Sequence, residues 1–175
     1  MRSLRNTKPV LLSLFVLAFA AAILVPAHAG AAPSKAAAAF QKLKTLTGHW
    51  EGKDADGNAV KSSFQLIAGN TAVMETLDMP GMDEMVTLYS IDGDSISLMH
   101  YCPTGNQPHM RAHPAPGEVK SLVFAFEGAG NLPNLAVGHE QRLVMQFLGA
   151  NHIIERWTWR KNGKDTLMVY DLTRK

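Results

Sequence analysis

The chain has 175 residues, 46% of them hydrophobic and 18% charged, with 17 Lys and Arg against 15 Asp and Glu for a net charge of +2. Arg2, Arg5 and Lys8 account for three of those cations, so residues 30–175 carry a net −1. That near-neutral body offers nucleic acid no electrostatic footing, and a single cysteine, Cys102, leaves no internal disulfide to hold an exported domain together.

The first segment reads as a secretory leader. Arg2, Arg5 and Lys8 form a basic start, an apolar run extends from Val10 to Val25, and Ala27-His28-Ala29 supplies an A-x-A cleavage pattern before Gly30. The apolar run is shorter than the roughly 20 residues a spanning helix needs, and Pro26 ends it. The expected organisation is a signal peptide over 1–29, a linker over 30–35 and one domain over 36–175. The expected location is exported, periplasmic or secreted, with no stable membrane insertion after cleavage. No cysteine follows the cleavage pattern, which argues against a lipid anchor.

Beyond the linker, Ala36 to Leu46 is alanine-rich, with Phe40, Leu43 and Leu46 spaced to share one helical face. After Gly48 the chain becomes strand-length pieces punctuated by turn residues. The pattern predicts strands at 49–54, 59–68, 71–78, 84–91, 94–102, 107–113, 118–127, 139–148, 151–161 and 165–173. Asp56-Gly57-Asn58, Asp92-Gly93-Asp94 and Asn162-Gly163 are hairpin signals. No long helix separates two strands, so parallel crossovers are excluded. The predicted class is all-β: a single antiparallel up-and-down β-barrel of about ten strands preceded by a short N-terminal helix, closure removing the exposed edges. An open β-sandwich is the competing arrangement.

A short helix followed by Gly48-His49-Trp50 at the first strand resembles the entrance of the calycin barrels: lipocalins, fatty-acid-binding proteins and, more distantly, nitrobindin-type barrels. The resemblance implies an indole, here Trp50, laid across the closed end, with a basic residue of the last strand, here Arg174, covering it. Glu84-Met85-Val86-Thr87-Leu88-Tyr89 and the segment from His100-Tyr101-Cys102 to Asn106-Gln107-Pro108 are similar to uncharacterised exported bacterial proteins of lipocalin-like type. That group implies a fold and no activity. The lipocalin disulfide pattern is absent, and no motif marks a haem-ligating histidine.

Alternate strand residues face a barrel interior, so polar residues that alternate with apolar ones are the candidates. Glu75 alternates with Val73 and Leu77, His100 with Ile96 and Leu98, and Glu155 with Ile153 and Trp157. A cavity lined by Glu75, His100, Arg111, Glu155 and Trp157, with Tyr89 inside and Tyr101 and Asn106 at the rim, suits an amphipathic or acidic small molecule. Equally, these groups pair with one another and close the barrel. His109 and His113 lie about 13 Å apart if extended, too far to share a metal ion. Met79, Met82 and Met85 sit together as a soft-metal possibility. A His100–Cys102 nucleophile pair lacks an orienting third group.

The leading expectation is a non-enzymatic exported barrel that binds a small, mostly apolar or amphipathic ligand, with no cofactor, metal or catalytic residue assigned. The alternatives are a haem, metal or enzymatic barrel using interior His and carboxylates, and a structural envelope protein with a filled barrel.

Overall fold

The computed structural model describes residues 34–175. The leader over 1–29 and most of the linker over 30–35 lie outside the described residues. A helix, α1 (Lys35–Lys44), precedes ten strands: β1 (Gly48–Lys53), β2 (Ala59–Ile67), β3 (Ala72–Asp78), β4 (Met85–Asp92), β5 (Ser95–Tyr101), β6 (Gln107–Ala112), β7 (Ser121–Gly130), β8 (His139–Phe147), β9 (His152–Lys161) and β10 (Lys164–Arg174). Each strand pairs antiparallel with the next, and β1 closes on β10 to complete the barrel. Among the described residues no helix is long and apolar enough to cross a membrane.

Period-two burial makes the core. Val73, Glu75 and Leu77 of β3 point inward, as do Ile96, Leu98 and His100 of β5. Asn162 (φ 51°) and Gly163 (φ 71°) take the paired left-handed backbone that turns β9 tightly into β10. At Gly52 the seam strands approach so closely that a Cβ would lie 1.7 Å from the Asp171 carbonyl oxygen.

One strand prediction shifts. The β7 prediction stopped at residue 127 because Gly128-Ala129-Gly130 reads as loop, yet those residues pair with His109, Pro108 and Gln107 beyond a bulge that opens between His109 and Met110.

The ends of the barrel differ. At one end α1, capped by the Ser34 hydroxyl accepting from the Ala37 amide at 3.1 Å, buries Phe40 and Leu43. Trp50 lies beneath it, donating from Nε1 to the Leu46 carbonyl at 2.7 Å. The Arg174 guanidinium sits 4.4 Å from the Trp50 ring and donates to the carbonyls of Thr45 (2.5 Å) and Thr47 (2.6 Å). This end is therefore plugged, in the arrangement the calycin resemblance implied. The opposite, open end is formed by the turns at 54–58, 79–84, 102–106, 131–138 and 162–163, with no helix across it among the described residues.

Candidate functional site

The interior holds an unusual amount of acid. Glu75, Glu140 and Glu155 are all buried, and among the described residues no Lys or Arg is. Glu75, in mid-barrel on β3, accepts from the Ser62 hydroxyl at 2.9 Å and from the Tyr89 hydroxyl at 2.7 Å. Glu155 on β9 accepts from Trp157 Nε1 at 3.0 Å through one oxygen, while its other oxygen, Oε1, is buried without a partner among the described residues. Burial raises both carboxyls above the ordinary range. Glu155 is raised further by the neighbouring Glu75 charge, while the donors around Glu75 pull that group back down. Burial thus favours the protonated form in this coupled pair. Burial, with the two carboxyls nearby, also pushes the Tyr89 hydroxyl well above its usual range.

His100 lies against this layer. Its Nδ1 is 2.9 Å from the Thr87 hydroxyl, its ring is 5.0 Å from that of Trp157, and its Nε2 is buried without a partner among the described residues. Burial lowers its pKa to about 4, so the imidazole is neutral.

The open end carries the cavity. A space of about 250 Å³ is walled by Met82 and Met85, by Cys102, Pro103 and Thr104, and by Trp159, Met168 and Tyr170, with Glu140 as its carboxyl. Glu140 is only 4% exposed, and Oε2 has no hydrogen-bond partner among the described residues. Burial raises its carboxyl to about 8. Trp159 packs on the Gly138 backbone, where a Cβ would come within 2.3 Å of the indole; the same ring divides the mouth cavity from a shallower surface groove beside Asn134 and Lys161.

The candidates from sequence therefore divide. Glu75, Tyr89, His100, Glu155 and Trp157 all face inward and meet in one layer. Asn106 is buried at the rim, its Nδ2 donating to the Gly138 carbonyl at 2.9 Å and to Thr104 at 3.1 Å, which ties the 102–106 turn to the start of β8. The segment is both a stapled turn and a rim, since its Cys102, Pro103 and Thr104 line the mouth.

One placement is corrected. Arg111 is not in the cavity. Met110 and Ala112 take the inward positions of β6, so alternation sends Arg111 outside, where it bonds Asp92 and Glu127 at 2.7 Å each and Ser95 at 2.6 Å. Arg111 therefore brings no counter-charge to the interior. Tyr101, expected at the rim, is 47% exposed on the outer face at the end of β5, next to the 102–106 turn.

Glu140 went unnoticed in the sequence because alternation fails there. Counting back from the inward Leu143 places residue 140 outside, but the β8–β9 register shifts between Glu140 and Arg142, and the extra residue turns Glu140 inward.

Catalytic and metal constellations are not assembled from these residues. His100 Nδ1 is engaged by Thr87 and Cys102 Sγ by the Thr104 hydroxyl at 3.0 Å, so the two are not a hydrogen-bonded pair. Among the described residues no group of three or more His, Cys, Asp or Glu is placed to hold a metal ion. Both ring nitrogens of the buried His139 lie within bonding distance of Val137 O and Gln141 Oε1, and the His100 ring packs against that of Trp157.

No family model matches the chain, and no curated protein matches it. Among solved structures it is similar to the crystal structure of Rv2717c from M. tuberculosis, with a TM-score of 0.57 and 12% identity, over 78% of this chain and 97% of that one. At that identity the likeness establishes a common barrel fold.

Proposed function

We propose that the protein is an exported, lipocalin-like binding barrel that takes a small, mostly apolar ligand at its open end. The observation that carries this reading is the mouth cavity itself, with apolar walls from four separate parts of the chain and a single buried, unpartnered carboxyl on Glu140. A concave apolar site with few convergent polar groups is the usual form of a small-molecule site. The plugged opposite end supports entry from the mouth only, and the basic, apolar and A-x-A order of residues 1–29 supports export.

The test is direct. The full chain is expressed with its own leader, the processed protein is purified, and native mass spectrometry is followed by titration with apolar probes under tryptophan fluorescence. Trp159 lines the cavity, so occupancy is expected to change its emission saturably. A bare polypeptide mass together with no saturable response to any probe would overturn the reading in favour of a filled structural barrel.

A further inference from the structure

The acid inside the barrel narrows the ligand class. Resting on the binding reading above, we propose that the mouth cavity selects lipophilic amines, with an ammonium head group meeting the Glu140 carboxylate and an apolar tail lying along the methionine and tryptophan walls.

Charge balance is the first argument. The described interior buries three glutamates and no lysine or arginine, so an anionic head group such as a fatty-acid carboxylate would meet repulsion and no partner. A neutral alcohol is not repelled, but it leaves Glu140 without a counter-charge. An ammonium supplies both the charge and the donors that Oε2 lacks.

The walls supply the second argument. Trp159 and Tyr170 line the same space as Glu140, and aromatic faces attract a desolvated cation. Met82, Met85 and Met168 are flexible, polarizable side chains that adapt to an alkyl or aryl body. The other titratable groups lining this cavity are Cys102 and Tyr170, and neither brings a positive charge. Asp54 and Asp56 line the groove on one side of it and add negative charge, while Lys161 lies in the groove beyond Trp159. Tyr170 is committed to the Met168 sulfur at 3.7 Å, and burial holds its hydroxyl above the ordinary range.

The third argument is the location of the acid. Of the deeper carboxyls, Glu75 is engaged at both oxygens by Ser62 and Tyr89, and Glu155 is engaged at one oxygen by Trp157 and lies outside the lining of the mouth cavity. Glu140 alone faces the mouth with no hydrogen bond among the described residues, which leaves it open to an incoming molecule.

The test compares octylamine, octanol and octanoate by calorimetry on the processed full chain and on Glu140→Gln. Octylammonium is expected to bind at least tenfold tighter than octanol near pH 8, with octanoate weakest. In Glu140→Gln the amine and the alcohol are expected to come within about threefold of each other, a difference of less than about 1 kcal/mol. Because burial keeps Glu140 protonated to about 8, amine binding releases a proton below that pH. The amine affinity of the natural protein is therefore expected to climb with pH up to about 8, and its binding enthalpy to vary with the ionisation enthalpy of the buffer.

Octanol binding as tightly as octylamine, or an amine preference that survives in Glu140→Gln, overturns the amine proposal and leaves the binding barrel standing. Binding of none of the three, with no response to other apolar probes, overturns both.

Discussion

Glu140→Gln is expected to stabilise the protein, by an amount that grows with pH. The carboxyl is buried with one oxygen unpartnered, and burial raises it from 4.5 to about 8. The folded chain keeps a proton there that the unfolded chain releases once pH passes the ordinary carboxyl value. The protonated group is thus fully compatible with folding in acid, and stability is lost as pH rises from 4.5 towards 8 and is level above that. Each pH unit in the window is worth about 1.4 kcal/mol, which comes to about 3 kcal/mol at pH 7 and about 5 kcal/mol at pH 9. These are upper figures, because water entering the mouth relieves part of the desolvation. Glutamine keeps the shape of the neutral acid and has no proton to lose. Urea unfolding of both proteins at pH 4.5, 7 and 9, followed by tryptophan fluorescence, is expected to give nearly equal stabilities in acid and a widening advantage for the variant above it. Equal stabilities at all three values, or a less stable variant at pH 7, would refute the reasoning, since either means that the carboxylate has a partner.

Four further outcomes follow from the geometry. His100→Gln is expected to flatten the acid limb of the stability profile. The folded imidazole titrates near 4 against an ordinary 6.5, so the natural protein loses about 3 kcal/mol as pH falls through that interval, measurable by urea unfolding at pH 4.5 and 6.5. Tyr89→Phe removes a 2.7 Å donor to Glu75 and is expected to destabilise by about 1–3 kcal/mol, read as a lower denaturation midpoint at neutral pH. Arg174→Ala strips the Thr45 and Thr47 carbonyls just beyond α1 and the face of Trp50 of their partner, for an expected loss of about 2–4 kcal/mol in chemical unfolding. Arg111→Ala is expected to leave ligand affinity unchanged in the same calorimetric titration, because that side chain points away from the interior.

The architecture was legible in the sequence because its signals were local. Turn residues such as Asp92-Gly93-Asp94 and Asn162-Gly163 marked the hairpins, and alternation along Val73-Glu75-Leu77 and Ile96-Leu98-His100 marked which residues face inward. The site was legible only in part. Glu75, His100, Glu155 and Trp157 followed the alternation and were found. Glu140 broke it at a bulge, and a bulge is a property of two paired strands that neither strand reveals alone. Arg111 was drawn into the cavity by its chemistry, although Met110 and Ala112 on either side already claimed the inward positions of β6. Its outer partner Glu127 lies opposite the β6–β7 irregularity, so the ion pair too depends on register.

The seam between β1 and β10 sets when the barrel is complete. It joins Trp50–Lys53 to Asp171–Arg174, residues from opposite ends of the domain, whereas the hairpin of β9 and β10 zips through most of its length from its own turn. A pairing so distant in sequence pays its loop entropy before it gains any contact. Folding is therefore expected to run from the hairpins towards this joint, with ring closure as the late step. In hydrogen exchange the amides of residues 50–53 are expected to open before those of β9, as a barrel parts first along the join that was made last.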